Sequence, residues 1–568
     1  MEELRAKYVI ARNDDNERVV LYPAQSCALD DRFVVKGFSR IESLHNTGLF
    51  AFDTFMESHH IGWSGKDAVL MQEGSSLKAG ISRFLLSQKG GALYGWLFYG
   101  ISMEEGGELF SSFGLPLIGL VSLMNALFRK VLEPKHSRCA SCFLCGILMI
   151  LFGWRITLFR MLVFSVVSLY VENRMRRWSL QVLIMLMLVP ESANAITLIF
   201  PALMQMTELF SKRGLEKKVS SFLSSIILQI LLFSKISLVS LMAFRPIRLL
   251  LGLFTITSLF LLPFENGQIW LLELVQGLQS KTLPLTWIGY CILPIAILLS
   301  LALFGLCLYP GWKTKKMAAV SILVYLLSFS CDPFFHVYSL SIGQGDCTLI
   351  VEPFQKSAVM IDAAGHFSRD NAARIIIPFL ESRRIRKLDA LIVTHDDFDH
   401  SGAVDSLCAN FPVESVITER SEVPDVEYPF YSLLEEREGV DENDASFVSL
   451  FSYDAFSYLW MGDASKAIEQ QLITKYAISA DVLKLGHHGS KTSSDLGFLE
   501  TVNARLGIVS AEKDNRYGHP HLETLINAQN AGLDLLQTQE NGMIHMQSFR
   551  HLMLISCTDG TFSMFWKF

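Results

Sequence analysis

Residues 388–402 read LDALIVTHDDFDHSG, an apolar run that leads directly into a cluster of histidines and aspartates. The run LDALIV has the length and the aliphatic composition of a buried β-strand. Immediately after it, His395, Asp397, Asp399 and His400 offer four metal-ligating side chains within six residues. Because side chains alternate along the loop, His395 and Asp397 are separated from the adjacent pair Asp399 and His400. The loop can therefore serve two neighbouring metal ions. The alternative interpretation is a solvated acidic turn.

Three further strings follow in a set order, each at the end of a predicted strand or in the loop after it. LWMGDAS contains Asp463, an acid well placed to bridge two cations. DVLKLGHHGS contains His487 and His488, and NRYGHP contains His519. A lone histidine is more often a packing residue, but functional side chains concentrate in loops at strand ends, so this ordered set favours a metal centre.

The rest of the C-terminal half alternates predicted strands and helices. Strands such as FFHVYSLSI, CTLIVEP and SAVMIDA precede helices such as DASKAIEQQLITKYA, which predicts an α/β sandwich. Residues 334–568 are acidic, with 18 lysines and arginines against 33 aspartates and glutamates. That charge repels a phosphate backbone unless bound metal and local basic residues offset it.

The chain before residue 334 predicts two more domains. In residues 1–75, YVIARNDDNERVVLYPA places a polar turn between two β-rich runs and DDRFVVKGFSRI supplies a third strand, so we expect a small β-barrel. The barrel either contacts nucleic acid or another ligand, or caps the membrane part. Residues 76–333 predict a polytopic α-helical membrane domain. Its apolar segments lie near 107–128, 143–171, 179–210, 219–244, 247–264, 284–309 and 317–331.

Two apolar segments, 143–171 and 179–210, are long for one membrane pass and short for two. The first is interrupted at Gly153–Arg155 and the second at Pro190–Ser192, which predicts broken or re-entrant helices. Arg160 and Glu191 are then charges inside the membrane, and they indicate a transmembrane polar pathway. The alternative is that these side chains reach the interface.

Basic loops predict the sidedness of the membrane domain. They lie at 129–138, 174–177, 212–218 and 313–316, and the positive-inside rule places all of them in the cytoplasm. Segment 317–331 then carries the chain outward. We therefore expect residues 334–568 on the extracytoplasmic face.

Residues 334–568 resemble the hydrolase domain of the ComEC family of competence proteins, a branch of the metallo-β-lactamase superfamily. The strings that carry the resemblance are LSIGQGDCTLI, VMIDAAG, THDDFDHSGA, NDASFV, MGDAS, LKLGHHGSKTSS and NRYGHP. Upstream, HNTGLFAFDTFMESHHIGWSG resembles the end of the family's N-terminal oligonucleotide-binding-like module, and LFRMLVF around Arg160 the start of a membrane helix. The chain departs from the family at Ser341, where aspartate is usual, and at Phe113–Pro116, where a Ser-Gly-x-His string is expected.

The resemblance implies three domains: an OB-like barrel in 1–75, a polytopic competence domain in 76–333 and an αββα metallo-β-lactamase-like sandwich in 334–568. It implies a DNA-uptake channel in the bacterial inner membrane that passes single-stranded DNA inward while the hydrolase domain, a nuclease, degrades the other strand. Membrane lipids and other competence proteins are the further candidate partners. Two alternatives remain: a transporter with a metal-free remnant domain, and a membrane-anchored, metal-dependent phosphoesterase without transport.

We expect one or two divalent ions in the hydrolase domain. The first would be held by His395, Asp397 and bridging Asp463, and the second by Asp399, His400, Asp463 and one of His487 and His488. Because Asp397 replaces the superfamily's more common histidine, the first position is oxygen-rich and favours Mn²⁺ over tightly bound Zn²⁺.

Further residues are assigned to catalysis and support. The candidate catalytic groups are Asp399, Asp463 and His519, the last as a ligand or as a proton donor to the leaving group. The candidates for outer-sphere or substrate contacts are Asp346, Asp362, Lys484 and Ser490.

Overall fold

The chain divides into two units. One comprises residues 1–42, 52–287 and 291–323, and the other comprises 43–51, 288–290 and 324–568. The computed structural model describes residues 3–4, 9–13, 17–22, 28, 30–41, 45–47, 61, 63–66, 68–99, 115–189, 196–211, 214–282, 286–367, 369–434 and 442–567.

Short strands make up the N-terminal part of the first unit. They are β1 (Glu3–Leu4), β2 (Val9–Arg12), β3 (Arg18–Leu21), β4 (Arg32–Val34), β5 (Gly37–Arg40), β6 (Trp63–Lys66) and β7 (Val69–Gln72). β2 and β3 form an antiparallel hairpin across the polar turn. One sheet has the order β1-β2-β3-β6-β5, and β4 pairs with β7. The run DDRFVVKGFSRI, expected to be one strand, is two, because the chain bends at Lys36 and β4 and β5 pair with different partners. The closed barrel stays a prediction.

Helices dominate the chain from residue 77 to residue 328. They are α1 (Leu77–Leu86), α2 (Gly91–Tyr94), a π-helix (Gly95–Tyr99), α3 (Leu115–Val131), α4 (Pro134–Phe152), α5 (Ile156–Tyr170), α6 (Arg174–Leu188), α7 (Ile196–Phe210), α8 (Leu215–Phe233), α9 (Leu238–Phe260), α10 (Glu265–Thr282), α11 (Leu293–Leu308) and α12 (Trp312–Ser328). Two short strands, β8 (Lys235–Ser237) and β9 (Thr286–Ile288), pair with each other.

The helix breaks agree with the sequence at one position and differ at another. The interruption expected at Gly153 is confirmed, because α4 ends at Phe152 and Gly153 has a φ of +82°, a backbone conformation that favours glycine. The division expected at residues 245–246 is wrong: α8 ends at Phe233, with Ser234 as its C-cap, and α9 continues through Pro246. A proline removes a single backbone donor, which this helix of 23 residues tolerates.

Apolar helices occur in part of this region. Among the described residues, α4 is long and apolar enough to cross a membrane. Shorter apolar helical segments lie at Ile156–Tyr170, Leu198–Phe210, Leu249–Phe260 and Leu293–Leu308. The number of spans therefore stays a prediction.

Among its described residues, the second unit contains fourteen strands with helices between them. The strands are β10 (Phe335–Ser339), β11 (Thr348–Val351), β12 (Ala358–Ile361), β13 (Ala390–Ile392), β14 (Val416–Ile417), β15 (Phe430–Leu433), β16 (Val448–Tyr453), β17 (Phe456–Trp460), β18 (Val482–Lys484), β19 (Leu506–Val509), β20 (Asp534–Gln537), β21 (Ile544–Phe549), β22 (Leu552–Cys557) and β23 (Phe562–Trp566). The helices are a π-helix (Ala372–Ile376), α13 (Ile377–Ser382), α14 (Phe398–Ser401), α15 (Val404–Asn410), α16 (Lys466–Lys475), α17 (Leu496–Val502), α18 (Leu522–Asn530) and α19 (Thr538–Asn541), with 3-10 turns at Pro353–Gln355 and Gly486–Gly489.

Two sheets pack face to face in this unit, with the orders β14-β13-β12-β11-β10-β21-β22-β23 and β15-β16-β17-β18-β19-β20. Alternate strand residues, such as Val359 and Tyr458, enter the core that both sheets share. Their neighbours point outward: Met360 packs in a layer with helix residues, and Leu459 packs in another. The order of layers is therefore helix, sheet, sheet, helix, and the predicted αββα sandwich is confirmed.

The strand directions bring the chemically interesting loops to one edge of each sheet. β12 runs parallel to β13, and β17, β18 and β19 are mutually parallel. Parallel strands end at the same edge, where ligand sites form in open α/β sheets. Asp362 follows β12, His395 follows β13, Asp463 follows β17 and His488 follows β18.

A short segment from the N-terminal part of the chain, residues 45–47, also belongs to this unit. The buried Asn46 side chain pairs with the backbone of Ser341: Nδ2 donates to the carbonyl (2.7 Å), and Oδ1 accepts from the amide (2.9 Å). The His45 carbonyl accepts the amide of Met543 (2.9 Å). Asn46 thus clamps the start of the loop that leads to Asp346.

Candidate metal centre

His400 is held in one orientation by the carboxylate of Asp362. Its Nδ1 lies 2.8 Å from Asp362 Oδ2, and the same carboxylate accepts hydrogen bonds from the amide and hydroxyl of Thr394 (2.7 and 2.9 Å). Because an ionised carboxylate only accepts, Nδ1 carries the proton. The lone pair of His400 therefore lies on Nε2, which is the usual arrangement for a metal-ligating histidine.

His488 is fixed in the same way by a backbone carbonyl. Its Nδ1 donates to the carbonyl of Ser510 (2.9 Å), which leaves the lone pair on Nε2. The two Nε2 atoms of His400 and His488 lie only 3.2 Å apart. Two lone pairs facing each other at that distance repel, so the arrangement needs a cation between them, either a proton or a metal ion.

Two buried carboxylates complete this cluster. Asp346, His400, Asp463 and His488 have ligand atoms that all lie within 4.8 Å of one another. Asp463 Oδ1 lies 3.1 Å from His400 Nε2, and Asp346 Oδ2 pairs with Lys484 Nζ (2.9 Å). The buried oxygens Asp346 Oδ1 and Asp463 Oδ1 face the cluster, and neither makes a hydrogen bond among the described residues. Since burying an unsatisfied carboxylate oxygen is costly, these residues fit a bound divalent cation.

A second group of residues lies on the other side of Asp463. Asp463 Oδ2 faces His487 Nε2 (3.7 Å) and His395 Nε2 (4.0 Å), and His395 Nε2 lies 3.5 Å from Asp397 Oδ2. The buried His395 Nε2 also makes no hydrogen bond among the described residues. Asp463 thus faces one histidine pair with each oxygen. The structure groups His487 with His395, and His488 with His400.

Asp399 and His519 border the cluster. Asp399 Oδ2 lies 3.3 Å from His488 Nε2, and its carbonyl accepts the amide of Asp346 (3.0 Å). This contact requires glycine at position 345, where φ is +125° and a Cβ would lie 2.2 Å from the Asp399 carbonyl oxygen. The ring of His519 stacks on that of His488 at 6.3 Å between centroids, and its buried Nδ1 makes no hydrogen bond among the described residues.

The electrostatics of the pocket favour positive charge. Burial lowers the pKa of His488, but Asp463 and Asp346 outweigh burial and raise this pKa to about 9. Burial acts on His400 in the same way, and Asp463 and Asp362 hold its pKa well above the usual value. Conversely, burial would raise the pKa of Asp463, yet His400 and His488 bring it well below the usual value. His519 differs: burial, and then the neighbouring His488 and His487, lower its pKa to about 4.

The other predicted site residues lie at different distances from the cluster. Lys484 and Asp362 contact it directly, as described above. Ser490 Oγ accepts the hydroxyl of Thr492 (3.0 Å), which in turn contacts His487 Nδ1 (3.2 Å), so Ser490 supports the histidine loop. Arg160 lies half-buried in α5 of the other unit. Glu191 lies outside the described residues, so the polar pathway stays a prediction.

Some residues that build the centre were not found from the sequence. Ser446 Oγ accepts the amide of Asp463 (3.0 Å) and lies 3.3 Å from His395 Nδ1, which links the two halves of the site. Its signal was its place in NDASFV, directly before β16. Ser510 contributes its backbone carbonyl and Thr394 its hydroxyl, and both residues follow the end of a strand. A serine or threonine at such a position does not by itself indicate a role in a metal centre.

Comparison with known proteins agrees with this geometry. Residues 340–452 match the family model described as Metallo-beta-lactamase superfamily. ComE operon protein 3 of Bacillus subtilis (strain 168) is 30% identical over 268 residues, and the match covers 40% of this chain and 34% of that protein. Recombination protein 2 of Haemophilus influenzae is 27% identical, with 38% and 29% covered. Competence protein ComA of Neisseria gonorrhoeae is 29% identical, with 30% and 26% covered.

The chain is similar over part of its length to competence proteins of the ComEC family. The resemblance inferred from the sequence motifs is thereby confirmed. The chain spans about a third or less of the length of the curated relatives it matches. It combines a helical middle region with a C-terminal metallo-β-lactamase-like domain that carries a buried histidine and aspartate cluster suited to a divalent metal ion.

Proposed function

We propose that the C-terminal domain is a metal-dependent phosphodiesterase that degrades DNA. The observation that carries this proposal is the pair of facing Nε2 atoms of His400 and His488, 3.2 Å apart beside the carboxylate of Asp463. The backbone and carboxylate partners of both rings fix the lone pairs towards the same point, so the site is organised for a cation before one binds.

One or two ions, Mn²⁺ or Zn²⁺, fit the two halves of the site. One position has His400, His488, Asp463, Asp399 and Asp346 around it, and the other has His395, His487, Asp397 and Asp463. Asp463 is the bridging candidate because each of its oxygens faces a different histidine pair. When bound, divalent ions lower the pKa of water and stabilise negative charge on a phosphoryl group.

The chain's own residues orient and complete this chemistry. Asp362 and Ser510 hold the histidine rings, and Lys484 holds Asp346 in place. His519 is neutral at pH 7 with a pKa of about 4 and has an unsatisfied Nδ1, which favours a role as a ligand or hydrogen-bond partner over that of a proton donor. Asp399 reaches the rim of the cluster and is the remaining candidate for contact with water or substrate.

The test is hydrolysis of a single-stranded oligonucleotide by the full-length chain purified in detergent, with Mn²⁺, Mg²⁺ or Zn²⁺ added. We expect Asp399→Ala and His400→Ala to abolish metal-dependent hydrolysis. The matched control is Asp405→Ala, which removes an exposed carboxylate on α15 and leaves activity unchanged. Activity equal to wild type in both site variants would show that the site is misassigned.

For the whole chain, we propose a DNA-uptake protein of the bacterial inner membrane. The proposal rests on the similarity to competence proteins, on the apolar helices among residues 76–333, and on Arg160 and Glu191, charged residues that lie in apolar stretches of the sequence. Single-stranded DNA would pass inward through this domain, with lipids and other competence proteins as partners. The hydrolase domain would face the extracytoplasmic side.

Uptake of labelled DNA by a strain that lacks this gene distinguishes the proposed DNA-uptake protein from the alternative function. That alternative is a membrane-anchored phosphoesterase without transport. We expect the deletion to abolish uptake, and the wild-type gene to restore it. Arg160→Gln should restore less uptake while leaving oligonucleotide hydrolysis intact. If the deletion strain takes up DNA normally, the membrane part is an anchor.

A further inference from the structure

Exposed aromatic rings lie at the mouth of the metal centre. Phe398 stands between Asp397 and Asp399 in the metal-binding turn, and its side chain is 43% exposed. Phe367 is 85% exposed and stacks on Phe398, with 4.9 Å between ring centroids and 22° between planes. The Phe398 ring packs on Gly365 and Gly402, where a Cβ would meet its ring atoms, and the exposed part of the Phe367–Phe398 pair offers an aromatic surface to solvent.

An arginine extends this stack towards the histidines. The Arg516 guanidinium lies 6.0 Å from the centre of the Phe367 ring and 4.6 Å from that of Tyr517. Tyr517, itself 47% exposed, stacks on His519 at 5.6 Å and 23°. Since His519 in turn stacks on His488, flat groups follow one another from the solvent to the metal cluster.

We propose that Phe367, Phe398, Arg516 and Tyr517 form a stacking rim that binds the unpaired bases of a single-stranded nucleic acid next to the metal centre. This inference rests on the proposed phosphodiesterase function and adds the groups that select its substrate. Base stacking on aromatic side chains strengthens binding by about 5-fold or more per base and tolerates any sequence, because every base has a π face.

The net negative charge of residues 334–568 favours base stacking over ion pairs with phosphate groups as the main source of affinity for nucleic acid. Residues 334–568 carry 33 acidic and 18 basic residues, so the surface offers a phosphate backbone little general attraction. Stacking on rings and on a guanidinium plane does not depend on a basic surface. Bases in a duplex are stacked on each other and leave no face for the rim, so the rim selects unpaired strands.

The test compares binding of three labelled ligands to the full-length, metal-loaded chain by fluorescence anisotropy. The ligands are a single-stranded oligothymidylate, an abasic strand of equal length and a blunt duplex, all with phosphorothioate linkages that resist hydrolysis. Wild type should bind the oligothymidylate about 5-fold or more tightly than either of the others, since one stacked base is worth at least that factor. Equal affinity for the oligothymidylate and the abasic strand would overturn the proposal.

Variants locate the effect on the rim. Phe367→Ala and Tyr517→Ala should each weaken oligothymidylate binding by about 5-fold or more and leave abasic binding unchanged, whereas Phe367→Trp should retain the preference. The matched control, Phe562→Ala, removes a ring that is also exposed (65%) but lies on the outermost strand β23. Rim variants that keep the wild-type preference, at unchanged metal content, would also overturn the proposal.

Hydrolysis of the abasic strand with ordinary phosphodiester linkages separates this inference from the function on which it rests. Suppose that wild type and Phe367→Ala both hydrolyse the abasic strand and that neither binds the oligothymidylate more tightly than the abasic strand. The stacking rim is then contradicted, and the phosphodiesterase function is supported. Suppose instead that neither protein hydrolyses any strand but that wild type binds the oligothymidylate more tightly than the abasic strand. The stacking rim is then supported as a binding site, and the phosphodiesterase function is contradicted.

Discussion

At the residue scale, the orientation of His400 depends on the Asp362 carboxylate that accepts from its Nδ1. Asp362→Asn keeps the size of the side chain but can present an amide N–H to the ring, which turns the tautomer or the ring away from the cluster. We expect metal affinity to fall by about 10- to 100-fold, the usual effect of losing an outer-sphere partner. Metal titration of the full chain measures this, with Asp405→Asn as the control. An unchanged affinity would mean that Asp362 does not orient the ligand.

The pH dependence of metal binding follows from His488. With a pKa of about 9, its ring is protonated at neutral pH when no metal is bound, and a metal ion has to displace that proton. Affinity should therefore rise with pH, by about tenfold per unit for each proton displaced, and level off above about pH 9. Titrations at pH 6.5, 7.5 and 8.5 test this. Constant affinity across the series would contradict the protonation assigned to the cluster.

The clustering of these histidine and aspartate side chains could be predicted from the sequence, but their pairing could not. The sequence places four such side chains after predicted strands: His395, Asp397, His400 and Asp463. Their residue types, in this order, are specific enough to predict a metal centre. His487 and His488 are adjacent, and both adopt left-handed backbone conformations, with φ of +47° and +53°, which sends them to opposite sides of Asp463. No sequence pattern encodes that choice. The stacking rim was missed because exposed aromatic residues have no periodicity of their own.

At the scale of elements, the loop that carries Asp346 depends on a segment almost 300 residues away. Asn46→Ala removes both hydrogen bonds to the Ser341 backbone and leaves a buried donor and acceptor unsatisfied, which costs about 1–3 kcal/mol for each group. We expect faster hydrogen exchange in residues 340–347 and weaker metal binding. Asn46→Asp keeps the acceptor for the Ser341 amide and should have a smaller effect. Wild-type exchange in Asn46→Ala would show that the clamp is dispensable.

Helix ends and strands could be predicted from the sequence where the backbone preference of one residue or the alternation of apolar residues determines them. Gly153 breaks the helix because its positive φ suits glycine, and alternating apolar residues identify both sheets. The break at Ser234 was not predicted, because a serine in a left-handed conformation carries no warning in its neighbours. The clamp by Asn46 was also missed, since a contact between residues 295 positions apart has no local pattern.

At the scale of the whole molecule, the proposed topology predicts which side of the membrane the hydrolase domain faces. Cys408 is exposed on α15 of that domain, so it can report its location. A variant that keeps Cys408 as its only cysteine should react with a membrane-impermeant maleimide in spheroplasts with an intact inner membrane. Labelling only after the inner membrane is permeabilised would place the domain in the cytoplasm and reverse the topology.

The most direct test of the metal centre is the metal content of the purified full-length chain, measured by elemental mass spectrometry after loading with Mn²⁺ or Zn²⁺. We predict one or two ions per chain in wild type and in Asp405→Asn. We predict a loss of at least one ion in the variant that combines His400→Ala with His488→Ala, because the facing lone pairs are then gone. Equal metal content in that variant and in wild type would contradict the account.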